Sequence, residues 1–420
     1  MSWEPDATPH RAADRGRAAV VVFCMPENGH FQRLRPLIAG LSGQGLDVHV
    51  MTHRNFSAQV AEDGGRFVDL FARFPLDRLG DDSLPVPSRF VTYAAAYAEP
   101  IGAEVAALGA RLVVHDSFAV IGRVVARRTG LPCVGVCAGH NVHPRRFVPL
   151  LRNDPRVRTS PVCRSAVRAL RDVHGLEDAS EFSYLSPPSR DLNIYCEPPE
   201  FLDEEERQAW EPIAFFGSVR QVPSGDGTPS GGRAHFKGGD VFKVYVSFGT
   251  VIWRYYAETA LRALRTLADA FAERDGVQAI ISLGGAEPGV AAGAELARRN
   301  VRVESYADQQ AILAEADLFV THHGMNSTHE AIVHGVPMVS YPFFWDQPAL
   351  ARKCQELDLA IPLADTVQGR FTNSDVGRVL DAQRSRSQTM KSALARARCW
   401  EEAVIAKRPE VIRRIIRLLA

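Results

Sequence analysis

Lysine is scarce in this chain: five of its 49 basic residues are lysine and the rest are arginine. Net charge is missing altogether, since 49 basic residues meet 49 acidic ones. Without a net positive field, a nucleic-acid binder that relies on charge is excluded, and only local arginine clusters remain as contact patches. No apolar run reaches the ~18 residues of a membrane-spanning helix, and the N-terminus has no signal-peptide core. The expected setting is the cytoplasm, with no integral membrane segment. Seven cysteines, at 24, 133, 137, 163, 196, 354 and 399, form no Cys-x-x-Cys pair. Neither a disulfide framework nor a zinc site is expected from them.

What is present is the composition of a soluble globular protein, with 46% hydrophobic and 23% charged residues. At 420 residues the chain exceeds one typical core, so two domains are expected. Abundant Arg, Ala and Gly fit a GC-rich genome such as an actinobacterial one.

Residues 1–17 read as a frayed tail. From 18 to 221, apolar strands alternate with helices of 3.6-residue periodicity, the rhythm of a doubly wound α/β domain. Residues 222–240 contain Pro-Ser-Gly-Asp-Gly-Thr-Pro-Ser-Gly-Gly and read as a linker. The rhythm restarts over 241–400, and 401–420 is expected to be a C-terminal helix that packs back on the N-terminal domain. From 138 to 190 the pattern weakens, which suggests an excursion covering a substrate.

The most informative stretch is Leu318 to Gln347. An apolar strand ends in Thr321, His322, His323 and Gly324, and a helix follows from Met325. A helix start carries unpaired N–H groups and partial positive charge, so it suits a phosphate. Asn326, Ser327 and Thr328 in its first turn add short donors, although the same residues also serve as helix caps. Ser247, Gly249 and Thr250 form another small-residue turn after a strand. In the first half, His30 follows a strand within Gly29-His30, and Asp116 ends a later strand of the same domain. An imidazole can remove a proton near neutral pH, and a carboxylate can fix its tautomer. Taken alone, His30 and Asp116 read equally well as helix caps.

The string His322-x-Gly324-x-Asn326-Ser327-x-x-Glu330, followed by Gly-Val-Pro and Asp346-Gln347, resembles the donor-binding signature of UGT-type nucleotide-sugar glycosyltransferases. The resemblance covers most of the chain and is most specific over 301–347. It implies a GT-B fold, with two Rossmann-like α/β domains facing a central cleft. It also implies that His30 is the general base and Asp116 its partner. His322, Gly324, Met325, Asn326, Ser327 and Thr328 would hold the diphosphate, with Ser247, Gly249 and Thr250 closing that site. Glu330 would bind the ribose, Tyr306 and Gln309 would frame the base, and Asp346 and Gln347 would bind the sugar. Arg33 departs from the family pattern, which commonly has Pro there. His323 is assigned no role.

The function expected on this basis is inverting, metal-independent transfer of a sugar from UDP-glucose or a dTDP-deoxysugar. The acceptor would be a hydroxyl of a small apolar natural product such as a polyketide, bound by 74–90 and 138–190. No cofactor is expected, since the helix start and His322 would offset the diphosphate's charge and no Asp-x-Asp is placed to bind a metal. Partners are the two substrates, and the chain would be a monomer or homodimer. The rivals are a lipid-linked sugar transferase, a nucleotide-sugar epimerase, and a non-catalytic activator of another transferase.

Overall fold

The computed structural model describes residues 18–76, 87–155, 157–219, 235–237, 241–285 and 289–420; the side chains of 289–292 are not described. The proposed tail 1–17 and most of the proposed linker lie outside these residues. Residues 235–237 are attached rather than free. The His235 backbone N–H and ring both reach the Glu315 carboxylate at 3.0 Å, and the Lys237 N–H donates to Gln278.

The first sheet has seven strands: β1 (Ala19–Phe23), β2 (Asp47–Thr52), β3 (Arg66–Asp69), β4 (Ala110–Asp116), β5 (Cys133–Cys137), β6 (Leu192–Tyr195) and β7 (Ile213–Phe215). Their spatial order is 3-2-1-4-5-6-7, and every pairing is parallel. The second sheet has six: β8 (Phe242–Ser247), β9 (Val277–Ser282), β10 (Val301–Glu304), β11 (Leu318–Thr321), β12 (Met338–Ser340) and β13 (Ala360–Pro362). Its order is 10-9-8-11-12-13, again all parallel. The unbroken apolar runs that form β1 and β4 follow from this arrangement, because helices cover both faces of a parallel sheet. Val20 to Phe23 and Leu112 to Val114 are fully buried.

Strand order reverses between β1 and β4 in one sheet and between β8 and β11 in the other. Loops leaving neighbouring strands at such a switch point diverge to opposite faces and leave a crevice beyond the strands' carboxyl ends. Gly29, His30 and Asp116 come from the first switch point. Ser247 to Thr250 and His322 to Gly324 come from the second.

Three features differ from the sequence expectations. With Asp116 read as a cap, the next helix would start at Ser117; it starts at Val120, because Asp116 first closes a turn in which its carbonyl accepts from Ala119 N. The stretch 138–190 contains two amphipathic helices, Pro144–Asn153 and Pro161–Asp172, each with Pro at its start, where a missing N–H costs nothing. The C-terminal segment 401–420 is not one helix. Ser387–Ala406 ends at Lys407, and a separate helix, Arg408–Ile416, follows. This last helix lies on the first sheet's side. Arg408 donates to the Phe216 carbonyl, Arg414 to that of Ile213 and Arg111 to that of Leu419. Ile412 packs over Gly40, where an added Cβ would lie 2.7 Å from its Cδ1.

Candidate functional site

A cavity of about 1140 Å³ runs between the two switch points. Its N-terminal wall includes Glu27 to His30, Arg33, Phe118 and Ala138, and its C-terminal wall includes Ser247, Gly249, Thr250, Tyr306, Gln309 and His322.

His30 sits in the first turn of the helix Asn28–Gly43. Its Nδ1 lies 2.6 Å from Asp116 Oδ1, and its ring stacks on Phe118 at 4.0 Å. Asp116 is fully buried, and its second oxygen accepts the Phe118 backbone N–H at 3.0 Å. One carboxylate therefore both holds the turn and engages His30. With Nδ1 directed at the carboxylate, the lone pair is left on Nε2, as a general base requires.

On the opposite wall, His322 is wedged between two glycines. A Cβ on Gly249 would lie 2.7 Å from His322 Nε2, and one on Gly324 would lie 2.5 Å from it. Gly249 also has φ +73°, a conformation that favours glycine. Burial pushes the His322 pKa down to about 4 and that of His323 to about 3. Both rings are neutral near pH 7.

The helix Met325–His334 presents Met325, Asn326, Ser327 and Glu330 to the cavity. Thr328 does not belong there. It is fully buried, and its hydroxyl is 3.2 Å from Nδ1 of His323, whose Nε2 is 2.8 Å from Ser340 Oγ. This inward pair anchors a loop in which His323 has φ +60°. Gln309 donates to Ser327 Oγ at 3.1 Å and to Glu330 Oε2 at 2.5 Å, and burial raises the Glu330 pKa. Tyr306 is 71% exposed on the cavity's edge. Gln347 Oε1 accepts the N–H groups of Phe343 and Phe344, and Asp346 Oδ2 accepts that of His140 at 3.0 Å. Burial raises the Asp346 pKa. Trp345, just before it, has φ +62° and is held by stacking on Tyr184 and edge contacts to Phe118 and Phe147.

Sequence reasoning missed three groups. Arg33 reaches across the cavity: its Nε donates to Asn326 Oδ1 at 2.9 Å and its Nη1 to the Ala138 carbonyl. The Asn326 amide in turn donates to the Gly29 carbonyl at 3.2 Å. An aromatic wall of Phe118, Tyr255, Phe344 and Trp345 lines the cavity, whereas Ala138 alone represents 138–190 and Pro87 alone the described part of 74–90. Behind the site lies a buried chain of acids and histidines. His140 Nδ1 meets Glu197 at 2.8 Å, Glu197 meets His329 Nε2 at 3.0 Å, and His329 Nδ1 meets Glu401. Its carboxylates raise the His329 pKa to about 9 against the pull of burial, and the histidines lower that of Glu197 to about 2.

Residues 235–377 match the family model of UDP-glucoronosyl and UDP-glucosyl transferases. The oleandomycin glycosyltransferase of Streptomyces antibioticus is 28% identical over 257 residues, covering 60% of this chain and 56% of that protein. The chain spans somewhat under three fifths of the length of this relative and of the Bacillus subtilis NDP-glycosyltransferase YjiC. Among solved structures, the glycosyltransferase of kitacinnamycin has a TM-score of 0.73 at 19% identity, covering 96% of this chain and 100% of that one. The spinosyn rhamnosyltransferase SpnG complexed with thymidine diphosphate has a TM-score of 0.63 at 19% identity, covering 94% and 99%. No helix among the described residues is long and apolar enough to cross a membrane. The resemblance read from 322–347 is thereby borne out as a family match: residues 235–377 match the UDP-glucoronosyl and UDP-glucosyl transferase model, and the two Rossmann-like domains share the GT-B fold of solved glycosyltransferases.

Proposed function

We propose that this chain is an inverting glycosyltransferase that moves a sugar from a nucleoside diphosphate to a hydroxyl of a small, largely apolar molecule. The observation that carries this reading is the 2.6 Å His30–Asp116 pair, set across one cavity from the start of the helix Met325–His334. His30 Nε2 takes the acceptor's hydroxyl proton as that oxygen bonds to the anomeric carbon. The bond from that carbon to the diphosphate oxygen breaks, and the diphosphate leaves with the electron pair. Acceptor and leaving group occupy opposite faces, so the configuration inverts. Asp116 stabilises the imidazolium formed on His30. The helix start, His322, Asn326 and Ser327 receive the diphosphate, and Glu330 the ribose. Asp346 and Gln347 receive the sugar hydroxyls. Tyr306 and Gln309 frame the base, and Ser247, Gly249 and Thr250 close the site. The aromatic wall suits a planar or polycyclic acceptor such as a polyketide. A relative named for oleandomycin and a structural neighbour holding thymidine diphosphate support this substrate class, with UDP-glucose and dTDP-deoxysugars as donors.

The test is nucleoside diphosphate release from a UDP- and dTDP-sugar panel with a mixture of aromatic acceptors. Acceptor-dependent release is expected, unchanged by EDTA, since no metal is required. His30→Ala should lower kcat by ~10²–10⁴-fold with the fold intact. Full activity in that variant would sink the base assignment.

A further inference from the structure

Arg33 is a buried cation hydrogen-bonded to neutral acceptors, and Asp346 is near enough that the Arg33 charge works against burial to lower its pKa. It is 7% exposed, its Nε and Nη1 donate to the neutral oxygens of Asn326 and Ala138, and among the described residues it forms no ion pair. Taking an ion out of water costs several kcal/mol unless an opposite charge is close. A guanidinium held this way by neutral acceptors is prepared for an anion that comes and goes. Its position supports this. Arg33 lies three residues after His30 on the same helix, lines the cavity, and touches the first turn of the helix Met325–His334. His322 is neutral near pH 7, so the opposite wall offers the anion hydrogen bonds and a helix end without a full charge.

We infer that Arg33 is a ligand of the donor's diphosphate, supplied by the N-terminal wall, and that it carries the full positive charge the leaving group needs. The inference rests on the donor reading above and extends it to a residue where the related enzymes commonly have Pro. As the bond to the anomeric carbon breaks, negative charge grows on the phosphate oxygens. A guanidinium already oriented by Asn326 and Ala138 meets that charge with little reorganisation. Because Arg33 comes from the other domain, the diphosphate joins the two walls, and the wall carrying His30 is drawn to the donor by the group that must leave.

The test is calorimetric titration of the full chain with UDP, dTDP, uridine and thymidine. Arg33→Gln should weaken binding of the preferred diphosphate roughly 10- to 100-fold and leave the matching nucleoside unchanged; Arg33→Lys should recover part of the loss. Equal diphosphate affinity in Arg33→Gln, or equal losses for diphosphate and nucleoside, overturns the inference. If the wild-type chain binds neither diphosphate, the donor reading falls and this inference with it. If wild type binds and Arg33→Gln binds equally well, this inference alone falls. A structure of the wild-type chain with the preferred diphosphate is independent of how the variants fold. A guanidinium nitrogen should lie ~2.7–2.9 Å from a phosphate oxygen, and an Arg33 without phosphate contact overturns the assignment.

Discussion

Asp116 divides its two oxygens between His30 and the Phe118 N–H. Asp116→Asn keeps one acceptor for the turn but removes the charge that balances an imidazolium. A loss of ~10²–10⁴-fold in kcat is expected with an unchanged circular-dichroism spectrum. A variant within twofold of wild type would leave His30 without a working partner. At this scale the sequence was informative where chemistry coincides with a strand's end. His30 and Asp116 each follow an apolar run, and parallel strands bring such ends to one edge. Thr328 shows the limit, because spacing within a helix's first turn does not say which side meets the cavity. Arg33 was noticed only as a departure from Pro, since its partners Asn326 and Ala138 are 293 and 105 residues away. The His140–Glu197–His329–Glu401 chain was invisible for the same reason: its members are 57, 132 and 72 residues apart.

The loop Thr321–Gly324 and its helix work as one element, and Gly324 is where they are most constrained. Its φ of −62° would accept alanine, so any cost there comes from the Cβ meeting His322 at 2.5 Å. Gly324→Ala should displace the ring and weaken UDP or dTDP binding by about tenfold or more, with a melting temperature close to wild type. Affinity equal to wild type would show that the ring position is not critical. Elements of five or more residues with clear periodicity were readable from sequence. The three-residue β13 was not, because it is held as a strand by its neighbour β12 rather than by its own propensity. The helices at 144–153 and 161–172 were obscured by their Pro and Arg content. Their buried residues, such as Phe147, Leu151, Cys163 and Leu170, are spaced sparsely along otherwise polar faces.

For the whole molecule, the buried chain of acids and histidines joins both sheets through Glu197, His329 and Glu401. The His329 pKa is raised from an ordinary 6.5 to about 9, so its stabilisation is complete below about 6.5 and is lost as pH rises through 9. The Glu197 pKa is lowered from an ordinary 4.5 to about 2, so its share is present above about 4.5 and is lost as pH falls through 2. The two contributions overlap fully between about pH 4.5 and 6.5. Thermal melts should show wild type losing stability between pH 6.5 and 9.5 more steeply than His329→Gln; parallel curves would exclude this source. Two facing α/β domains were legible in the alternation of strands and helices. Their mutual attachment was not, since it depends on residues far apart in sequence. The last helix makes that attachment concrete. Ile412 is buried against Gly40, and Ile412→Ala should cost about 2–5 kcal/mol in urea unfolding. A ribosome releases the surface around Gly40 long before the helix that covers it. During synthesis the first domain therefore waits, with an apolar face uncovered, while more than three hundred further residues are added, and its folding is completed only once that helix has emerged.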